Sequence, residues 1–134
     1  MNYKTSKKAF SLIELIFVIA ILGIIAAVAV PKLLDSRGSA VVSSVKQDIS
    51  TITTSIQSYY MTNGSIDKII DAVNINSQTW NITDKKLMFD SDSKVCVTIE
   101  IVSSNLNLTI DNTSSDICQK LYDSGIRTTT YKLF

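Results

Sequence analysis

Residues Phe10–Val30 read FSLIELIFVIAILGIIAAVAV and contain one ionisable side chain, Glu14. As a helix this stretch would be about 31 Å long, at about 1.5 Å per residue, which is enough to cross a bilayer. A carboxylate at the centre of such a helix costs about 2.5–3.5 kcal/mol on insertion scales. The stretch therefore predicts a membrane helix, and we expect Glu14 to have a partner or a task within it.

The rest of the chain is polar and short. Of 134 residues in total, about 70 follow the long helix, and a globular part of that size can build only a modest core. The chain contains no histidine, which is the commonest catalytic base and metal ligand. No other catalytic constellation stands out in the sequence. We therefore expect a structural protein and not an enzyme.

The charge of the chain does not indicate a nucleic-acid partner. The formal net charge is +1, from 13 basic and 12 acidic side chains. The first nine residues hold three of the lysines, so without them the balance is 10 against 12, or −2. We predict no direct binding of nucleic acid.

Three interpretations compete for the N-terminal segment. Lys4, Lys7 and Lys8 precede the apolar stretch, and the positive-inside rule then keeps the N-terminus cytoplasmic and sends the C-terminal part across the membrane. A cleaved signal peptide could use the small residues at 27–29, but its apolar region is usually about 7–15 residues long. An uncleaved signal anchor that holds a monomeric periplasmic binding domain explains length and charge, but it leaves Glu14 without a task.

The third interpretation rests on residues Lys7–Leu33, KKAFSLIELIFVIAILGIIAAVAVPKL. This segment resembles the N-terminus of type IV prepilins and type II secretion pseudopilins in its basic leader, small residue, Phe, following Glu and long apolar helix. The resemblance implies that a prepilin peptidase cuts between Ala9 and Phe10 and methylates the new amine. Ala9 stands where the family usually has Gly; it has the next smallest side chain, so the site remains compatible with cleavage.

The same resemblance gives Glu14 a role in assembly. The cut creates an α-ammonium group on Phe10, which is mostly protonated at pH 7. Glu14 lies four residues along the helix and can meet the ammonium of its own chain or that of a neighbouring subunit. A paired charge in an apolar setting costs much less than an unpaired one. The resemblance supports the pairing between subunits, and it makes the segment from Gly23 to Pro31, where helix propensity falls, a candidate hinge.

The long helix is predicted to continue beyond the membrane, to about Met61. Apolar residues recur at spacings of three and four on one face, which predicts an amphipathic helix; they are Val42, Val45, Ile49, Ile52, Ile56 and Tyr59. The pair Asn63-Gly64 is a typical helix end. Packing of this face against the chain's own sheet is favoured over a coiled coil. We expect the helix to be weakened near Pro31.

The remaining residues predict a small antiparallel sheet with short helices. The helices are expected at Ile66–Val73 and at Asp116–Asp123, the latter capped by Ser115 and stopped by Gly125. Strands are expected at Lys86–Phe89, Lys94–Val102, Asn105–Ile110 and Arg127–Phe134, with Ser103-Ser104 as a hairpin turn. Alternation in Lys94–Val102 places Val95, Val97, Ile99 and Ile101 on one face, and Trp80 and Ile82 are expected to anchor the connection to the core.

Two further features concern cofactors and cross-links. Cys96 and Cys118 could form a disulfide in an oxidising compartment, or remain ordinary thiols in a reducing one; the predicted location favours the bridge. Asp90-Ser91-Asp92 offers two carboxylates in a loop, but the Gly and distal Glu of a recognised calcium loop are missing. We therefore predict no cofactor, with calcium as the less favoured alternative.

Together these observations predict an α+β, pilin-like chain with a long N-terminal helix, transmembrane in its first half, on a small antiparallel sheet. The expected segments are a leader (1–9), a transmembrane and assembly helix (10–30), its amphipathic continuation (31–63) and a periplasmic globular part (64–134). The expected function is that of a pseudopilin or minor pilin in a secretion, pilus or DNA-uptake machine. Its expected partners are prepilin peptidase, other subunits, an inner-membrane assembly platform and membrane lipid.

Overall fold

A computed structural model describes residues 9–134 and shows an α+β fold. Most of the predicted leader therefore lies outside the described residues. The elements are α1 (Leu12–Asn63), α2 (Ile69–Ala72), β1 (Trp80–Ile82), β2 (Lys86–Ser91), β3 (Lys94–Val102), β4 (Asn105–Ile110), α3 (Asp116–Asp123) and β5 (Thr129–Lys132). The chain divides into two compact units, one ending at Arg37 and the other beginning at Gly38. The pilin-like architecture expected from the sequence is confirmed.

Helix α1 is continuous over 52 residues. The predicted weakening near Pro31 is not seen, because proline removes one backbone donor while the residues on either side keep their helical conformation. The helix ends as Asn63-Gly64 predicts. Gly64 adopts a positive φ of 75°, and its N–H donates to the carbonyl of Tyr60 at 2.7 Å, which satisfies an orphan carbonyl of the last turn.

The five strands form one antiparallel sheet in the order β1-β2-β3-β4-β5. The apolar stripe of α1 belongs to the same core as the inner face of this sheet. Its buried members are Val42, Val45, Ile49, Ile52 and Ile56, and Tyr59 is half-buried. Packing of the stripe within the chain's own core is thus confirmed over the coiled-coil alternative.

Several short elements differ from the sequence prediction. The helix expected at Ile66–Val73 covers only Ile69–Ala72, because its flanking residues, Lys68 and Val73, are extended. The residues around Trp80 form strand β1, which pairs with β2, where only a connection was expected. Strand β2 continues to Ser91. The last strand spans Thr129–Lys132 and not Arg127–Phe134, which matches its pairing with four residues of β4.

A register shift changes the face of β3. Phe89 pairs with Val97, but Asp90 pairs with Val95, so Cys96 is an extra residue that no residue of β2 opposes. Such a bulge reverses the alternation of side chains beyond it. As a result Cys96 is 1% exposed and Val95 is 42% exposed. The prediction that Val95 shares the inner face with Val97 is therefore wrong.

Candidate processing and assembly site

The predicted processing and assembly residues lie at the start of α1. Ser11 precedes the helix, and its hydroxyl accepts a hydrogen bond from the backbone N–H of Glu14 at 3.2 Å, so it satisfies one of the unpaired donors of the first turn. The Ser-Leu-Ile-Glu order is also that of a capping box. The sequence therefore starts the helix immediately after the expected cleavage site.

Phe10, which precedes α1, lies close to Glu14 of its first turn. Both side chains are exposed and, with Leu15 and Val18, they line one open cleft of about 240 Å³. The ion pairs found within residues 9–134 join Lys68 to Asp84 and Lys86 to Glu100, and neither includes Glu14. Glu14 thus lines the same cleft as Phe10, the residue on which the resemblance places a new ammonium group.

The helix around this cleft exposes its apolar side chains on all sides. Large apolar residues between Phe10 and Leu34 are between 50% and 80% exposed. Among the described residues, α1 is the helix that is long and apolar enough to cross a membrane. Exposed apolar area of this extent requires cover by lipid or by another protein.

The candidate hinge residues, Gly23 and Pro31, both lie within helical backbone. A Cβ atom at Gly23 would meet nothing within 4 Å, so packing in this chain does not demand a glycine there. A role for the segment in bending stays a prediction.

Polar contacts that the sequence did not predict fasten α1 to the sheet. The indole N–H of Trp80 donates to Asp48 at 2.9 Å, and the hydroxyl of Tyr60 donates to that of Ser104 at 2.9 Å. Two features of the sequence could have indicated the contact between Trp80 and Asp48. Asp48 is a carboxylate beside the apolar stripe, and a buried tryptophan needs a hydrogen-bond acceptor. These two contacts hold the domain end of α1 in register with β1 and with the β3–β4 turn.

Cys96 and Cys118 form a disulfide in the structure, with their Cα atoms 5.1 Å apart. Cys96 reaches the core through the bulge of β3, and Cys118 lies in the first turn of α3. That turn is capped by Ser115, whose hydroxyl accepts from the backbone N–H of Cys118 at 3.3 Å. The predicted cap and the stop at Gly125, which has a φ of 105°, are confirmed.

The candidate calcium residues belong to a hairpin. Asp90 lies in β2, and Asp92 and Ser93 form the turn with φ values of 53° and 61°, as in a two-residue turn of type I′. Within residues 9–134, no group of three or more His, Cys, Asp or Glu side chains is arranged to hold a metal ion. Calcium binding here stays an untested expectation.

Among the described residues, Asp111 is the carboxylate whose pKa departs from its ordinary value. Hydrogen bonds from the hydroxyls of Thr113 and Ser114 lower the pKa of Asp111 below its ordinary value, and the backbone N–H of Thr113 and the charge of Lys94 lower it further. The two hydroxyl contacts are each 2.7 Å long. Asp111 thus organises the connection between β4 and α3.

Comparison with known proteins decides between the interpretations of the N-terminal segment. Residues 4–30 match the family model of the prokaryotic N-terminal methylation motif. A fimbrial protein of Neisseria meningitidis serogroup A is 31% identical over 123 residues, which cover 92% of this chain and 72% of that protein. The chain belongs to the type IV pilin family. The type IV major pilin protein PilE of Neisseria gonorrhoeae is likewise 31% identical over 92% of this chain and 73% of its own length.

Membership of the pilin family settles several coarse points. It implies a structural subunit that is processed by prepilin peptidase and assembles with other pilin subunits. The methylation motif and the long apolar helix indicate anchoring in a membrane. No solved structure matches the chain significantly.

Proposed function

We propose that this chain is a pseudopilin or minor pilin, cut between Ala9 and Phe10, that assembles into a periplasmic filament of a secretion or pilus-type machine. The observation that carries the proposal is the cleft that Phe10 and Glu14 share at the start of the exposed, apolar first half of α1. Cleavage would place an ammonium group beside this carboxylate. In the apolar core of a filament, each subunit would then offer one charge to satisfy that of its neighbour.

The proposed topology follows from the charges around the helix. Lys4, Lys7 and Lys8 would hold the N-terminus in the cytoplasm, and the globular part would lie in the periplasm. Subunits would wait in the inner membrane, where lipid covers the helix, and an assembly platform would extract them. The subunit would act mechanically, through polymerisation of its helix. We propose no cofactor for it.

The segment from Gly23 to Pro31 is proposed as the place where the helix loosens when subunits pack in the filament. Two features support it. Gly lowers helix propensity by about 1 kcal/mol, and Pro31 lacks the backbone donor that a residue within a helix normally supplies. Hydrogen–deuterium exchange of assembled filaments would show faster exchange at residues 24–30 than in the flanking turns, and equal protection throughout would contradict the hinge.

The N-terminal mass of the protein recovered from membranes tests the processing step. We expect a chain that begins with N-methylated Phe10. An intact Met1 would instead support the alternative of a monomeric membrane-anchored binding domain. A chain that begins after residues 27–29 would support a cleaved signal peptide.

Substitution of Glu14 tests the assembly step. We expect Glu14→Ala and Glu14→Gln to insert in the membrane as well as the parent chain but to yield no filament. The matched control is Asp35→Ala, which removes another exposed carboxylate from the same helix. Normal filament yield from both Glu14 variants would contradict the proposed role of this carboxylate.

A further inference from the structure

A cationic groove lies beside the edge strand β5. It has a volume of about 290 Å³ and lies between α1, the loop after α3 and β5. Lys46 and Arg127 line it together with the hydroxyl-bearing residues Ser50, Thr54 and Thr129, and none of its lining residues within the described chain is acidic. Two cations and several hydroxyls in one concave site suit a carboxylate ligand.

The two cations are held in place without being neutralised. The amine of Lys46 donates to the carbonyl oxygen of Ser124 at 2.7 Å. The guanidinium of Arg127 lies 3.7 Å from the ring centroid of Tyr122 and donates to the carbonyl oxygens of Tyr122 and Ile126. All of these acceptors are uncharged, and neither ion pair found within residues 9–134 includes Lys46 or Arg127. Fixed cations lose little conformational entropy when an anion binds, so the groove is prepared for one.

The same chain carries a complementary acidic surface on a different element. The β2–β3 hairpin exposes Asp90 and Asp92, and the type I′ backbone at Asp92 and Ser93 makes it a tight turn at the end of the sheet. Neither carboxylate takes part in an ion pair among the described residues. The hairpin also exposes Lys94, so it presents two carboxylates and one amine, and its acidic charge exceeds its basic charge by one.

We propose that the groove of Lys46 and Arg127 receives the Asp90–Asp92 turn of a second copy of this chain. Strands β2 and β5 are three positions apart in the sheet, which is about 14 Å at about 4.8 Å per strand. The turn of the same chain therefore lies outside the range of a salt bridge. A contact between two different patches repeats from copy to copy and leaves both ends open, as a filament requires.

This docking rests on the assembly part of the proposed function, but it can be tested separately. The full chain would be treated in membranes and in sheared filaments with a zero-length carbodiimide, which links lysine amines to nearby carboxylates. The covalent dimer would be isolated under denaturing conditions and its peptides mapped. We expect a linkage between Lys46 and Asp90 or Asp92 in the dimer and not in the monomer.

Charge reversal separates docking from folding. Arg127→Glu and Asp92→Lys both keep the Lys46 amine that the carbodiimide needs, and each should lower the yield of this dimer at least fivefold. The double variant should recover at least half of the parent yield. A folding defect in Arg127→Glu would not be repaired by Asp92→Lys. The matched control is Lys132→Glu, an exposed lysine of β5 outside the groove, which should leave the dimer unchanged.

The outcomes distinguish the two proposals. Filaments without the Lys46 linkage would overturn the docking and leave the proposed function standing. The linkage in membranes of cells that make no filament would support the docking and count against the filament. A linkage of Lys46 to a different protein, or single variants that dimerise as the parent chain does, would also overturn the docking.

Discussion

At the scale of the residue, the hydrogen bond between Trp80 and Asp48 is expected to contribute to the free energy of unfolding of the domain. Trp80 is 1% exposed, and its indole N–H donates to Asp48. An unsatisfied buried donor costs about 1–3 kcal/mol. We expect Asp48→Ala to lower the free energy of unfolding by that amount, and Asp48→Asn, which keeps an acceptor, to lower it less.

Chemical denaturation of the full chain in detergent would measure this effect. Trp80 is the single tryptophan of the chain, so its fluorescence reports the loss of the domain directly. Asp71→Ala removes an exposed carboxylate from α2 and serves as the control. Equal midpoints for Asp48→Ala and Asp71→Ala would show that the indole finds another acceptor.

The lowered pKa of Asp111 predicts that the stability of the domain depends on pH. Its pKa is lowered in the folded chain, so folding favours the ionised form. The contribution is therefore present above the ordinary pKa of 3.8 and is lost as the pH falls through the lower folded value. We expect Asp111→Asn to unfold more readily than the parent chain at pH 7, and the two midpoints to converge as the pH is lowered from 4 towards 2. A constant difference across that range would contradict the role of ionisation.

At the scale of the element, α3 depends on its cap. Ser115 supplies the oxygen that accepts from Cys118 N–H, and loss of such a cap costs about 0.5–2 kcal/mol. We expect Ser115→Ala to lower the free energy of unfolding by about 1 kcal/mol. Ser115→Thr keeps the hydroxyl and should therefore retain most of the stability that the cap contributes. Denaturation midpoints of the two variants measured side by side would check this, and equal losses would argue against capping.

The elements also show what the sequence could predict. The span of β3, the β3–β4 hairpin and the stripe of α1 follow from periodicity, because each repeats a pattern over six residues or more. Strand β1 was missed because three residues are too few to show alternation, and its partner β2 supplies the register. The face of Cys96 was missed for a related reason: a bulge depends on how two strands pair, and a single strand carries no sign of it.

The assembly residues show a similar division. The sequence motif was enough to predict that Phe10 and Glu14 lie close together, although Phe10 precedes the helix in the structure. The groove of Lys46 and Arg127 combines residues that are 81 positions apart, as their numbers show. Their juxtaposition depends on how the loop after α3 packs beside α1, and no local pattern in the sequence reports it.

At the scale of the whole molecule, the two units depend on different environments. Among the described residues, the buried apolar core lies within the unit that begins at Gly38, and it extends from Val42 to Leu133. The large apolar residues from Phe10 to Leu34 are exposed, and they need cover by lipid or by another protein. A subunit of this kind can keep its domain folded while its helix exchanges one apolar environment for another, as the proposed transfer from a membrane to a filament would require.

The disulfide is expected to decide how well that small domain withstands unfolding. The bridge joins residues 22 positions apart, and closing a loop of that length stabilises a protein by about 3 kcal/mol in the chain-entropy model. We expect a thiol reductant to lower the denaturation midpoint of the full chain substantially, because the domain has a modest core to offset the loss. The matched control is the double variant Cys96→Ser with Cys118→Ser, whose midpoint should be low and unaffected by reductant. Mass analysis would confirm that the bridge has been reduced. If the parent chain then unfolds at the same midpoint with and without reductant, packing of α3 against the sheet is sufficient without the covalent link.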